Sequence, residues 1–144
     1  MKKQNERGVS AVEFALILPL LVLIIFGIVE FGTYIYNLQV LTNASREGAR
    51  AGIVYSDTTP HRLDKNSIET IVKSYCADRM VTFGTSDPNY PRLVQPTTVD
   101  DSATFGTNLT VEVQYIYDFL IIPNFIPGVT RLRDMRAFTV MKYE

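Results

Sequence analysis

Residues that build metal sites and disulfides are scarce in this sequence. Its 144 residues include one cysteine, Cys76, and one histidine, His61. A lone cysteine excludes an intramolecular disulfide framework, and one residue of each kind cannot build a zinc site of the usual Cys/His type. We therefore expect no metal and no cofactor. Cys76 is interpreted as a small buried hydrophobic residue, with a reactive thiol or an intermolecular disulfide as the alternatives.

An excess of charge and recognisable catalytic motifs are also lacking. The 14 Lys and Arg residues nearly balance the 15 Asp and Glu residues. The chain therefore lacks the excess of positive charge that is typical of nucleic-acid-binding proteins, and no nucleic-acid partner is expected. The sequence has no phosphate-binding loop, no Gly-x-Ser-x-Gly and no Cys-x-x-Cys. His61 lies near Asp57 and Asp64 in sequence, but we interpret it as a solvated loop residue. The chain is therefore predicted to be neither an enzyme nor a receptor for a small-molecule substrate.

A long uncharged run is the dominant feature of the N-terminal third. Residues 14–29 contain no charge, and the apolar pattern continues to Tyr36 with only Glu30 interrupting it. At about 1.5 Å per residue, a helix over 14–36 is roughly 34 Å long, which is enough to cross the hydrocarbon core of a bilayer. The run predicts a membrane-spanning helix of about residues 14–36.

The residues around this run predict its orientation. Lys2, Lys3 and Arg7 precede it, which places the N-terminus in the cytoplasm and the rest of the chain outside the inner membrane. A cleaved secretory signal is disfavoured, because no small-x-small site follows the run and the helical pattern continues beyond it. We therefore expect a single-pass anchor.

The predicted helix continues past the membrane, over residues 9–55 in total. A cluster of turn-forming residues ending in Pro60 then stops it. Ala44, Gly48 and Gly52 recur every four residues and form a ladder of small side chains, which permits close helix packing. The partner of this ladder is either another subunit or the chain's own outer domain.

Pro19 and Glu30 are unusual residues for a membrane-spanning helix. Pro19 removes a backbone hydrogen bond and is expected to kink the helix near Ala15. Glu30 places an ionisable group in or near the membrane, which is energetically costly near its centre. We expect Glu30 either in the headgroup region or in a contact between helices.

A short motif precedes the apolar run. Gly8 ends a basic leader, and Glu13 and Phe14 follow as the fifth and sixth residues after it. This pattern resembles the processing site of type IV-class prepilins, in which a peptidase cuts after the glycine. The resemblance implies a leader of residues 1–8, a new N-terminus at Val9, and a Glu13 carboxylate that pairs with the α-amine of a neighbouring subunit.

The wider N-terminal segment is similar to the TadE-like family of the tight-adherence (Tad, Flp-type) pilus system. The similarity is carried by the leader, the proline in the apolar run and the stretch Arg-Glu-Gly-Ala-Arg at residues 46–50. It implies a minor pilin or pseudopilin whose partners are the membrane, a prepilin peptidase, other pilin subunits and the assembly machinery. TadE and TadF are not distinguished. The alternative is a monomeric, signal-anchored binding or adhesion domain; a small anchored enzyme is the least favoured.

The C-terminal part, residues 56–144, is predicted to be an extracytoplasmic α+β domain, so that the whole chain has a pilin-like architecture. An apolar stripe predicts a helix over 66–79, with Asn66 and Glu69 as its capping box. Strict alternation predicts a strand over 107–119, which pairs antiparallel with a last strand over 133–143. At most a short strand is expected at residues 92–94.

The connection between these two strands is unusually apolar for a loop. It contains Ile121, Ile122, Phe125 and Ile126 together with two prolines. One interpretation is that it folds back over the edge of the sheet. The other is a docking loop for another subunit or for the membrane headgroups.

Overall fold

A computed structural model describes residues 3–55, 62–82, 91–94, 105–119 and 134–143 of the chain. Side chains are described from Gly8 onwards, and residues 93 and 94 are described by their backbone alone. Within these ranges the protein has a long N-terminal helix, which is followed by a second helix and three strands. The predicted α+β class, with a long helix, one further helix and a short antiparallel sheet, is confirmed.

The long helix α1 comprises Lys3–Ile53 and runs through Pro19 without interruption. We predicted a start at Val9, so the prediction was wrong at this end. Residues 3–7 contain neither proline nor glycine, and nothing in this stretch stops a helix from extending into the leader. By length and composition, α1 is the one helix among the described residues that is able to cross a membrane.

The sheet has the order β1-β2-β3, with β1 at Arg92–Val94, β2 at Asn108–Ile116 and β3 at Asp134–Lys142. Both pairs of neighbouring strands are antiparallel, as predicted for β2 and β3. Val113 is opposite Ala137 and Tyr115 is opposite Met135, so the odd-numbered residues of both strands share one face. That face is buried against the helices.

The second helix, α2, comprises Lys65–Ala77. Its N-cap is Asp64, whose side chain accepts a hydrogen bond from the backbone N–H of Ser67 at 3.0 Å. The predicted capping box of Asn66 and Glu69 is therefore wrong, because the helix begins before Asn66. The bond from Ser67 lowers the pKa of Asp64.

The hydrophobic core lies between the outer half of α1, α2 and the inner face of the sheet. The turns of α1 that follow the apolar run contribute Leu41, Ala44 and Ala49, whereas α2 contributes Ile68, Val72 and Cys76. Ile68, Val72 and Cys76 are spaced four residues apart and so form one stripe on their helix. α1 is thus both the proposed anchor and the central element of the outer domain's core.

Candidate functional site

The residues of the predicted processing site lie on an exposed part of α1. Gly8, Val9, Glu13 and Phe14 are all exposed. A Cβ added at Gly8 would meet no atom within 4 Å. The space beside Gly8 therefore holds no side chain of the described residues, and the backbone at this position is helical.

The exposed surface of α1 continues without a buried residue from position 8 to position 29 and includes Pro19. Its large apolar side chains are exposed on every side of the helix. A helix that is apolar all round is suited to hydrocarbon rather than to water. This stretch ends before the predicted limit of the span at Tyr36, because the outer domain covers one face of α1 from Glu30 onwards.

Glu30 begins the covered face. Its side chain is 2 % exposed, and its Oε1 accepts a hydrogen bond from the hydroxyl of Tyr117 at 3.4 Å. A contact between helices was one of the two expectations for Glu30, but Tyr117 follows strand β2. The contact is therefore between α1 and the end of the sheet. A buried carboxylate is stabilised when a donor is held against it, and Tyr117 supplies one.

Three aromatic rings surround this hydrogen bond. Tyr34 is one turn beyond Glu30 on α1, and its ring centre lies 5.6 Å from that of Tyr117 and 6.0 Å from that of Phe119. Tyr117 and Phe119 are themselves 5.1 Å apart and edge-to-face. Burial, followed by the nearby charge of Glu30, raises the pKa of Tyr117 to about 12, so its hydroxyl keeps its proton near neutral pH.

The ladder of small residues packs within the subunit. Ala44, Gly48 and Gly52 are all buried. A Cβ on Gly48 would lie 2.8 Å from Cγ2 of Val72, and a Cβ on Gly52 would lie 2.6 Å from Cδ2 of Leu109. Of the two partners that the sequence left open, the structure places the chain's own outer domain against the ladder, because α2 and β2 approach α1 where its side chains are absent.

Asn37 attaches the segment after α2 to α1, a contact that sequence analysis missed. Its Nδ2 donates to the carbonyl oxygen of Val81 at 2.6 Å, and its Oδ1 accepts from the N–H of Val81 at 2.9 Å. The side-chain amide thus pairs with a peptide group as a neighbouring strand would. A polar residue amid the apolar positions of α1 was the available signal.

Two further polar residues join α1 to the rest of the domain. The hydroxyls of Ser45 and Thr139 lie 2.7 Å apart and connect α1 to β3. Arg62 is buried, donates to the carbonyl oxygen of Ile53 at the end of α1, and has its guanidinium carbon 3.9 Å from the ring centre of Tyr143. A cation there satisfies the helix terminus and stacks on an aromatic face.

The outer face of the sheet carries a chain of polar contacts. Gln114 accepts hydrogen bonds from Arg92 and donates to Asp134 at 2.6 Å. Arg136 lies 2.9 Å from Asp134 and 3.6 Å from Glu112. The hydrogen bond from Arg136 is the main reason why the pKa of Asp134 is lowered. These contacts explain how Gln114 is buried without loss of its hydrogen bonds.

The candidate docking loop, with Ile121, Ile122, Phe125 and Ile126, lies outside the described residues, as does His61. Cys76 is described and is buried and free. Burial raises the pKa of its thiol to about 11. Among the described residues, no three His, Cys, Asp or Glu side chains are placed to hold a metal ion.

Helix α1 thus carries the exposed Gly8, Glu13 and Phe14, an exposed apolar stretch and a buried ladder of small residues. Residues 8–50 match the family of TadE-like proteins. The TadE-like match lies entirely within α1, so it includes the predicted processing motif, the exposed apolar stretch and most of the ladder but neither α2 nor the sheet. No curated protein and no solved structure matches the chain.

Proposed function

We propose that this protein is a minor pilin or pseudopilin that takes part in assembly of a Tad-type pilus. The single observation that carries the proposal is the TadE-like match over residues 8–50, because the family takes its name from that pilus system. The match begins at Gly8, the residue after which a prepilin peptidase would cut. The role is structural rather than enzymatic.

The proposed organisation has three parts. Residues 1–8 are a cytoplasmic leader, residues 9–55 are the long helix, and residues 56–144 belong to the extracytoplasmic domain. The exposed apolar stretch of α1 supports insertion into the inner membrane, and the basic residues Lys2, Lys3 and Arg7 favour a cytoplasmic N-terminus. The partners are the membrane, the prepilin peptidase, other pilin subunits and the assembly machinery.

Processing is tested by the intact mass of the purified protein. In cells with an active prepilin peptidase, the wild-type chain is expected to lack residues 1–8 and to begin at Val9. The Gly8→Val variant is expected to retain them, because a branched side chain crowds the scissile backbone. A wild-type protein that retains Lys2, Lys3 and Arg7 in such cells contradicts the proposal.

A matched control separates the site from the helix around it. Gly27, like Gly8, is a glycine of α1 with no atom near the position of an added Cβ. Gly27→Val makes the same chemical change far from the scissile bond. We expect normal processing of Gly27→Val and a block in Gly8→Val; a block in both indicates that substitution affects insertion rather than cleavage.

A signal-anchored adhesion or binding domain that stays in the membrane as a monomer is the second candidate. The same exposed apolar stretch of α1 favours it, since an anchor needs nothing more. Deletion of the gene distinguishes the two candidates. Loss of pili supports the pilin, whereas normal pili together with loss of surface binding supports the monomeric domain.

A further inference from the structure

The exposed stretch of α1 and the outer domain adjoin with no spacer. Residues 8–29 have no buried side chain, and Glu30 is buried by the domain. At about 1.5 Å per residue, residues 8–29 form a helix roughly 33 Å long, whereas the hydrocarbon core of a bilayer is about 30 Å thick. The stretch includes Glu13, whose carboxylate the resemblance to prepilins pairs with the α-amine of a neighbouring subunit. When this stretch fills the core, the domain begins where the hydrocarbon ends.

The next layer of the bilayer is polar and thin. The headgroup region adds about 5–7 Å on each side of the core, which corresponds to about four or five helical residues. Beyond residue 29, these are residues 30–34 of α1. The first contacts between α1 and the outer domain therefore lie at the level of the headgroups rather than above them.

Two aromatic side chains of α1 reach the protein surface at this level. Phe31 is 47 % exposed and Tyr34 is partly exposed, whereas the rings of Tyr117 and Phe119, which Tyr34 contacts, are buried. Aromatic side chains are enriched at headgroup depth, because one end of the ring system is apolar and the other is hydrated. The Glu30 carboxylate at the same level is covered by the Tyr117 hydroxyl.

We propose that the membrane-facing end of the outer domain, where the exposed Phe31 and the partly exposed Tyr34 of α1 adjoin the buried Glu30, Tyr117 and Phe119, docks within the phospholipid headgroup layer. The domain then rests directly on the bilayer, and Phe31 and Tyr34, the aromatic residues at this end that are not buried, determine the depth at which α1 is inserted. This inference rests on the membrane anchoring of the proposed function. The partner is the lipid surface and not another protein.

Tryptophan fluorescence measures the depth of α1. The chain has no tryptophan, so the tryptophan fluorescence of each variant comes from the single introduced residue. Leu20→Trp, Phe31→Trp and Phe105→Trp place it at exposed positions in the apolar stretch, at the membrane-facing end and just before β2. The full chain is reconstituted in phosphatidylcholine–phosphatidylglycerol vesicles whose acyl chains carry bromine at a shallow or a deep carbon.

The expected pattern distinguishes three depths. Leu20→Trp is quenched most by deep bromines and Phe31→Trp most by shallow bromines. Phe105→Trp is not quenched, because β2 begins near Gly52 at the far end of the domain. An unquenched Phe31→Trp beside a quenched Leu20→Trp overturns the inference.

A nitroxide spin label measures how close the outer domain itself, rather than α1, lies to the membrane. Asp118 is exposed between Tyr117 and Phe119, so Asp118→Cys carries a nitroxide at the end of the sheet nearest Glu30. Cys76 is buried with a raised pKa and is expected to resist labelling. Asn108→Cys, at the opposite end of β2 and also exposed, is the matched control.

Lipids that carry a nickel chelate on the headgroup are the relaxation probe. We expect the nickel to enhance the relaxation of a nitroxide at position 118 strongly and that of a nitroxide at position 108 only weakly. Equal and weak enhancement at both positions, with Leu20→Trp still quenched, overturns docking and leaves the anchor intact. An unquenched Leu20→Trp contradicts the anchor of the proposed function, and the docking inference with it.

Discussion

The hydroxyl of Tyr117 donates a hydrogen bond to the Glu30 carboxylate at 3.4 Å, across 87 positions of sequence. The bond joins the point where α1 leaves the outer domain to the residues that follow β2. Tyr34 and Phe119 pack around it. The Glu30 side chain of the long helix therefore makes a contact within its own subunit.

Removal of this hydroxyl is expected to destabilise the outer domain. Tyr117→Phe keeps the aromatic packing but leaves the buried carboxylate without that donor, which should lower the free energy of unfolding by about 1–2 kcal/mol. Thermal unfolding of the full chain in detergent measures the change. Tyr36→Phe, which changes an exposed tyrosine of α1, is the control and should be near neutral. Equal effects of the two variants contradict a role for the hydrogen bond.

Gly48→Leu tests the small-residue ladder. A leucine gains about 0.5–1 kcal/mol of helix propensity, but its Cβ would be only 2.8 Å from Val72, and overpacking costs about 1–3 kcal/mol. We expect a net decrease in melting temperature, because Val72 is held in the core.

Gly32→Leu provides the matched comparison, since a Cβ there meets no atom within 4 Å. Its stability should be unchanged or higher. If Gly48→Leu raises the melting temperature and also lowers pilus assembly, the ladder instead serves a contact between subunits.

Asn37→Ala is expected to release the segment that follows α2. Both hydrogen bonds to the Val81 peptide are lost, which should cost about 1–3 kcal/mol and accelerate hydrogen exchange at the Val81 amide. Asn43→Ala, at an exposed position of the same helix, is the control. Slow exchange at Val81 in Asn37→Ala shows that other contacts hold the segment.

Glu13→Ala is expected to leave cleavage largely intact and to reduce piliation. The resemblance to prepilins assigns the carboxylate to a contact made after processing, with the α-amine of a neighbouring subunit. Intact mass measures the cut, and electron microscopy of the cell surface measures the pili. A normal number of pili on Glu13→Ala cells excludes that role.

Alkaline pH is expected to weaken the fold through Cys76. Burial raises the pKa of this thiol from 9.0 to about 11, so the unfolded chain loses the proton at a lower pH than the folded chain does. The stabilising effect is complete below pH 9 and is lost as pH rises towards 11. Wild-type protein should therefore lose stability relative to Cys76→Ala over this interval; parallel pH profiles in denaturant titrations contradict this.

Periodicity and composition determined the elements of this protein. The uncharged run and the turn-forming cluster that ends in Pro60 predict α1 and its end, and the alternation around Val113 predicts β2 because side chains of a strand alternate between faces. The leader, Gly8 and Glu13 are contiguous in sequence, so the processing motif is readable without a fold. Errors were confined to element ends, such as the start of α1 and the cap of α2, where propensities are nearly balanced.

The partners of single polar or small residues were decided only by tertiary structure. A sequence states that Glu30 is costly in the membrane but not that Tyr117 covers it, and it shows that Gly48 permits close approach but not that Val72 approaches. Such contacts join residues far apart in the chain. They depend on how α1, α2 and the sheet pack, and no local pattern records that packing.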